Sequence, residues 1–264
     1  MITKHAPDPE FDVPMMVEDG EVRYLHFDSP WAQGAMSLSD PDSLVFLYTR
    51  QMCAWLLFSK ADERSPIALL GLGAGGHFRY LQKYTNSPVT AVEWSELVIM
   101  CVEDHFYVEA TERCQIVRAN ADKWVHDPAV QGQYTVLMVD LYDYTAEGPV
   151  CSSKKFYKGC ANVLGENGIA TFNLFGHHPS FPKNLANIRA AFGNRVIMFP
   201  ETVDGNRIVI AFKGDQAQTF RRDELEARAK QVQAIYGLAG PEFLDILLKE
   251  RDNQHIVQGN KILI

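Results

Sequence analysis

Residues 66–76 read PIALLGLGAGG, an apolar run of strand length that ends in a glycine-rich turn. Residues 76–84 follow with apolar side chains at helical spacing, which predicts a helix directly after the turn. Glycine permits a tight turn and a close approach to the backbone, and the first N–H groups of the helix face that turn. The order of strand, glycine turn and helix predicts the first unit of an α/β sheet with a ligand at the turn.

The alternation of short apolar strands with helices continues along the chain and predicts further strands at residues 89–94, 114–120, 134–140 and 168–175. This order predicts a mostly parallel, Rossmann-like α/β sheet with helices on both faces. Two apolar runs then flank the turn signal Asp204-Gly205, and they predict an antiparallel hairpin that closes the sheet.

The first part of the chain has a different pattern. Two extended runs within residues 13–28 flank Asp19-Gly20, a strong signal for a β-hairpin. We therefore expect a small N-terminal β unit in residues 1–40 and one nucleoside-binding domain in residues 41–264.

Two further segments have helical spacing. Residues 41–60 predict a mostly buried helix, capped by Asp40 and with Pro41 in its first turn, where the missing N–H has no helical partner to lose. Residues 215–264 predict helices followed by a last short apolar strand.

Composition limits the classes of partner. The 264 residues are 47% hydrophobic and 22% charged, with a formal net charge of −8, as expected for a globular chain. The acidic balance argues against nucleic acid and anionic membranes as partners, and no apolar run has the length of a membrane helix. Five cysteines without a CxxC pair predict a reduced, cytoplasmic chain without disulfides and without a metal site.

Glu93 ends the second predicted strand, 22 positions after Gly71. A carboxylate at this point can accept hydrogen bonds from both hydroxyls of a ribose, so the pair predicts a nucleoside ligand. Gly71, Gly73 and Gly76 also fit the GxGxxG spacing of dinucleotide enzymes, which leaves NAD open. The closing hairpin resembles the end of the adenosylmethionine-binding version of this sheet and favours that ligand.

Asn120 and Asp122 follow the third strand of the sheet. A side-chain oxygen at this position can accept a hydrogen bond from the amino group of adenine. The same residue types also cap helices, and a short helix at residues 123–125 would need a cap. Both interpretations of Asn120 remain open.

Asp140 and Asp143 follow the apolar run of the fourth strand, and strand ends are where open α/β sheets bind ligands. A partly desolvated carboxylate can act as a general base, and two together can hold a cationic amine. Alternatively, Asp143 caps a turn and Asp140 bonds the glycine loop. The loop at residues 144–155 either closes over a site or is an ordinary connection.

Together these motifs resemble the spermidine synthase (polyamine aminopropyltransferase) family and its bacterial spermidine-synthase-like relatives, over about residues 12–213. The resemblance is carried by the early β-hairpin, GLGAGG at residues 71–76, VEWS at residues 92–95, and DLYDYTAEGP at residues 140–149 with Phe156-Tyr157 after it. It implies a methyltransferase-like sheet and transfer of an aminopropyl group from decarboxylated S-adenosylmethionine to an amine. It also implies a homodimer or a higher oligomer.

The resemblance assigns roles residue by residue. Asp140 would deprotonate the attacking amine, and Asp143 would share this catalytic site and hold the polyamine. The substrate would also contact Tyr48 and Tyr142. The cofactor would contact the residues of the glycine loop and of the strand ends around it, namely Gly71, Gly73, Gly75, Glu93, Asn120, Asp140 and Gln33.

The sequence departs from the family at one position that bears on the cofactor. The family's glycine loop is GGGDGG, whose aspartate grips the aminopropyl amine, and here that position is Ala74. The change removes a charge-assisted contact of a kind worth roughly 1.5–3 kcal/mol. S-adenosylmethionine itself and methyl transfer therefore remain open, as does a non-catalytic nucleoside-binding role. Smaller departures are Thr49, Asn120, Tyr144 and Asn173.

Overall fold

The structure is a computed structural model, and it describes residues 13–27, 29, 31–143, 148–214 and 218–264. Within these ranges the chain forms thirteen strands and eight α-helices. In chain order they are β1 (Met15–Asp19), β2 (Val22–His26), β3 (Ala32–Ser37), α1 (Leu47–Met52), β4 (Ile67–Leu70), α2 (Gly76–Tyr84), β5 (Val89–Glu93), α3 (Glu96–His105), β6 (Cys114–Arg118), α4 (Ala121–Trp124), β7 (Tyr134–Val139), α5 (Lys154–Val163), β8 (Leu164–Phe175), α6 (Phe181–Phe192), β9 (Val196–Met198), β10 (Asn206–Phe212), β11 (Thr219–Arg221), α7 (Arg222–Tyr236), α8 (Gly240–Lys249), β12 (Val257–Gln258) and β13 (Lys261–Leu263).

The central sheet has seven strands in the order β6-β5-β4-β7-β8-β10-β9. The pairs from β6 to β8 are parallel, whereas β10 pairs antiparallel with both β8 and β9. This confirms the predicted α/β fold, its mostly parallel sheet and its closing hairpin. No helix within the described residues is long and apolar enough to cross a lipid bilayer.

Both faces of the central sheet are covered, and β4 shows how. Its side chains alternate between two buried clusters, with Ile67 and Leu69 on one face and Ala68 and Leu70 on the other. Strands buried on both faces are expected to be continuously apolar, as this run is. The polar residues that follow the parallel strands therefore lie at the carboxyl ends of these strands.

The first three strands form a separate antiparallel sheet in the order β1-β2-β3, with the predicted hairpin at residues 19–22. Strand β3 packs on the glycine turn: a Cβ added at Gly34 would lie 2.6 Å from the Cβ and the amide nitrogen of Ala74. The small sheet therefore packs against the end of the large sheet at which β4 finishes.

The helix expected over residues 41–60 is only partly correct. An α-helix begins at Leu47, not at Pro41, and it continues as a buried 3₁₀ turn over Cys53–Leu57. Arginine side chains hold the preceding segment out of the helix: Arg79 donates to the carbonyl of Pro41, and Arg50 donates to those of Leu44 and Val45. The two C-terminal helices and the last short strand agree with the prediction.

Candidate active site

The glycine turn after β4 lies between two other chain segments that leave no room for side chains. Gly71 has φ +93°, and a Cβ there would lie 2.1 Å from the carbonyl oxygen of Asp140. Gly73 has φ +51°, and a Cβ there would lie 2.8 Å from the carbonyl oxygen of Gln33. Gly75 faces away from this contact, towards Val108. The glycine turn is therefore packed between strand β3 and the segment that follows β7.

Glu93 is buried at the end of β5, with 8% of its surface exposed. Its Oε2 accepts from the backbone N–H of Leu72 at 3.1 Å, and its Oε1 accepts from those of Trp94 and Ser95 at 2.8 and 2.9 Å. The carboxylate therefore ties the glycine turn to the end of the neighbouring strand. It also lines the cavity at this edge of the sheet.

Asn120 caps helix α4, since its Oδ1 accepts from the backbone N–H of Lys123 at 3.2 Å. The capping interpretation is therefore observed. The residue also lines the same cavity as Glu93. A carbonyl oxygen has two lone pairs, so the cap leaves one for another donor, and the adenine contact stays a prediction.

Asp140 follows β7 directly, and its backbone N–H donates to the carbonyl of Leu70 at 2.9 Å. Its side-chain Oδ1 accepts from Asn173 Nδ2 at 2.8 Å, and the hydroxyl of Tyr48 donates to the same carboxylate. Desolvation raises the pKa of Asp140, although Asn173, the nearby His77 and Tyr48 each lower it. The raised pKa makes this carboxylate a stronger proton acceptor than an exposed aspartate.

The raised pKa of Asp140 predicts the direction in which the stability of the fold changes with pH. The folded protein binds this proton more tightly than the unfolded chain, so the contribution of Asp140 to stability is lost as pH rises through the raised value. We expect Asp140→Asn to be more stable than the wild type at neutral pH, by about 0.5–2 kcal/mol. Urea unfolding should show this difference shrinking towards acid pH, where Asp140 is protonated. An equal or lower stability of Asp140→Asn at neutral pH would contradict it.

The remaining predicted substrate residues surround Asp140. Asp143 is buried, and its backbone carbonyl accepts from Gln33 Nε2 at 3.3 Å. The hydroxyl of Tyr142 donates to the backbone carbonyl of Asn173 at 3.1 Å. Desolvation and the nearby Asp140 raise the pKa of both Tyr48 and Tyr142, so both hydroxyls stay protonated.

One cavity of about 1280 Å³ brings the predicted residues together at the ends of β4, β5, β7 and β8. Of the ten site residues predicted from the sequence, nine line it and Gly75 does not. The nine are Gln33, Tyr48, Gly71, Gly73, Glu93, Asn120, Asp140, Tyr142 and Asp143. Residues 144–147, including Tyr144 and part of the predicted closing loop, lie outside the described residues.

His77 and Asn206 are among the polar residues of the cavity that sequence reasoning missed. His77 lies in the first turn of α2, and its Nε2 is 2.9 Å from the carbonyl oxygen of Thr49. That oxygen can only accept, so Nε2 carries the hydrogen, and desolvation lowers the pKa of the ring. His77 could have been predicted as a cavity residue from the sequence, because it directly follows the last glycine of the turn, Gly76.

Comparison with known sequences finds relatives that carry the same name, polyamine aminopropyltransferase. No protein-family model matches the chain. A polyamine aminopropyltransferase from Chromobacterium violaceum is 29% identical over 242 residues, which cover 90% of this chain and 89% of the relative. One from Neisseria meningitidis serogroup A is 28% identical over 223 residues, covering 84% and 83%.

Comparison with solved structures identifies the same fold. A probable spermidine synthase from Corynebacterium glutamicum aligns with TM-score 0.69 and 18% identity over 83% of each chain. Human methyltransferase-like protein 13 in complex with SAH aligns with TM-score 0.65 and 18% identity, over 73% of this chain and 93% of that one.

A spermidine synthase in complex with the transition-state analogue AdoDATO aligns with TM-score 0.55 and 19% identity, over 77% of this chain and 75% of that one. At these identities the structural likeness shows the methyltransferase-like fold alone. The family resemblance rests on the sequence relatives and is confirmed by them: this chain is a homologue of the polyamine aminopropyltransferases along most of its length.

Proposed function

We propose that the chain is a transferase that moves an aminopropyl group from decarboxylated S-adenosylmethionine to an amine. The observation that carries the proposal is Asp140, a carboxylate with a raised pKa in the same cavity as Glu93 and the glycine turn. The polyamine aminopropyltransferases related in sequence support the same reaction.

The cavity fits a nucleoside with a charged tail. Gly71 and Gly73 bring backbone to its edge where a Cβ would collide with neighbouring carbonyls, and Glu93 lies beside them. Asp140 and Asp143 line the cavity farther along the sheet edge. The nucleoside would bind in the part of the cavity lined by the glycine turn and Glu93, and the amine would bind beside Asp140.

The bound cofactor supplies a sulfonium with an electrophilic carbon next to it. Asp143, Tyr142 and Tyr48 orient the amine, and Asp140 accepts a proton from the amine nitrogen as the new N–C bond forms and the C–S bond breaks. Asn173 and Tyr48 hold the Asp140 carboxylate in place through their hydrogen bonds. Positioning of the two reactants supplies much of the rate acceleration.

Methyl transfer from S-adenosylmethionine is the second candidate, and Ala74 favours it. The side chain at this position carries no charge that would repel the carboxylate of S-adenosylmethionine. The human methyltransferase-like protein of the same fold was solved with SAH. A nucleoside-binding role without turnover is the third candidate.

Calorimetric titration separates the first two candidates. We expect decarboxylated S-adenosylmethionine to bind about tenfold or more tightly than S-adenosylmethionine, because a further carboxylate would enter a cavity that already holds Asp140 and Asp143. Glu93→Gln should weaken both ligands, since one carboxylate oxygen becomes a donor facing backbone N–H groups. Tighter binding of S-adenosylmethionine would overturn aminopropyl transfer and favour methyl transfer.

The cellular setting and the assembly are proposals of the same kind. We place the chain in the reducing cytoplasm, which its five unpaired cysteines support. A homodimer is supported by the exposed apolar side chains of β1, where Met15, Met16 and Val17 are 40–48% exposed. The division into a β unit over residues 1–40 and one larger domain also stays a prediction.

A further inference from the structure

A chain of amide hydrogen bonds reaches Asp140 from the start of β10. Asn206 Nδ2 donates to Asn173 Oδ1 at 3.0 Å, and Asn173 Nδ2 donates to Asp140 Oδ1 at 2.8 Å. Asn206 and Asn173 are 6% and 4% exposed, so water has little access to either amide. Buried amides of this kind have strongly preferred orientations, because a reversed amide leaves like groups facing each other.

Asn206 distinguishes the two orientations of the Asn173 amide. With the amide reversed, Asn173 Oδ1 would face the Asp140 carboxylate, and Asn173 Nδ2 would face the donor Nδ2 of Asn206. The register places the two asparagines as diagonal neighbours on one face of the β8–β10 pair, since Asn173 pairs with Ile208 and Asn206 with Phe175. The Asp140 carboxylate, which can only accept, and the donor on β10 therefore favour the same orientation, in which Asn173 donates to Asp140.

Other elements also place titratable groups near Asp140. They are Tyr48 of α1, His77 of α2 and Tyr142 in the segment after β7. Neither tyrosine nor the histidine hydrogen-bonds to Asn206 within the described residues. Within the described residues, Asn173 is therefore the hydrogen-bonded link between Asn206 and Asp140.

We propose that Asn206 is a positioning residue, which holds the Asn173 amide so that it donates to Asp140 and thereby keeps this carboxyl ionisable inside the cavity. The inference rests on the proposed function for the role of Asp140 as a base. The hydrogen-bond chain itself can be tested without any substrate.

The test compares Asn206→Asp with the wild type by carboxyl-carbon NMR titration of Asp140. A carboxylate at position 206 can only accept, so it draws the Asn173 amide round and turns Asn173 Oδ1 towards Asp140. We expect the pKa of Asp140 to rise in this variant. Asn162→Asp, an exposed site on α5, controls for the change in net charge and should leave the pKa of Asp140 in place. The uncharged variant Asn206→Leu separates the loss of the donor from repulsion between carboxylates at positions 206 and 140.

Asn206→Leu is a second variant, for the case in which Asn206→Asp does not fold. It removes the donor without adding charge and leaves the Asn173 amide free to reverse, so a smaller rise in the pKa of Asp140 is expected. An unchanged pKa of Asp140 in folded Asn206→Leu, or in folded Asn206→Asp with the introduced carboxyl ionised, would overturn the proposal. Where the carboxyl at position 206 takes up a proton, its O–H replaces the lost donor, and Asn206→Leu decides.

The pH dependence of kcat/KM measures the same shift in the pKa of Asp140. With an amine acceptor in hand, the acid limb of the kcat/KM profile should move to higher pH in Asn206→Asp, and kcat/KM below that limb should fall about tenfold. An acid limb that stays in place would overturn the proposal. Absence of any transfer by the wild type would instead count against the proposed function, while the NMR result would still decide the role of Asn206.

Discussion

Asp140→Asn is expected to lower the rate of transfer by about 10²–10⁴-fold, the usual contribution of a positioned general base. The amide keeps the shape of the carboxylate and can still accept from Asn173, but it cannot take the proton of the attacking amine. Cofactor affinity should fall much less than the rate, because Glu93 and the glycine turn lie at other strand ends and keep their contacts. Single-turnover kinetics with decarboxylated S-adenosylmethionine and a diamine would measure the loss.

The control for this experiment is Asp104→Asn, which makes the same chemical change on the exposed side of α3. It should keep the wild-type rate. A rate for Asp140→Asn within a few-fold of the wild type would remove Asp140 from the role of base. A lost rate together with lost cofactor binding would instead mean that Asp140 acts mainly in binding.

Gly71→Ala is expected to have the largest effect on the fold around the site. An alanine at φ +93° costs roughly 1–2 kcal/mol, and its Cβ would lie 2.1 Å from the carbonyl oxygen of Asp140. Relief of that overlap requires the end of β7 to move, which adds about 1–3 kcal/mol. We expect a total loss of about 2–5 kcal/mol in urea unfolding, with nucleoside binding abolished in calorimetry.

Gly132→Ala separates the two contributions. Gly132 also has a positive φ, +70°, but a Cβ there would meet no atom within 4 Å. It should therefore show only the backbone cost of roughly 1–2 kcal/mol and keep nucleoside binding. Equal losses of stability in the two variants would show that the close approach of Gly71 to Asp140 carries no energetic weight.

Local patterns predicted most of the large sheet and the early hairpin. A strand followed by glycines and a helix specifies its own geometry, since the turn needs glycine and the helix needs periodic apolar residues. Glu93 was predictable for the same reason, because its position at a strand end is set by the strand pattern. The sequence therefore predicted which strand ends face the cavity.

The residues that sequence reasoning missed depend on contacts between distant segments. Asn206 reaches Asn173 across 33 residues, and Arg79 reaches Pro41 across 38. No local pattern encodes such a partner. The hydrogen-bond chain from Asn206 through Asn173 to Asp140 and the late start of α1 were therefore not predictable from the sequence. Gly75 shows the reverse case: the family resemblance implied a cofactor contact there, whereas this glycine packs against Val108 and does not line the cavity.

The small sheet and the large one share the cavity, because Gln33 of β3 contacts both the glycine turn and the segment at Asp143. A ligand that fills this space touches both sheets, so part of its binding free energy goes into holding them together. By thermodynamic reciprocity, whatever holds the small sheet in its docked position also tightens the ligand. Affinity in this protein is therefore a property of the sheet-to-sheet junction as much as of any single side chain.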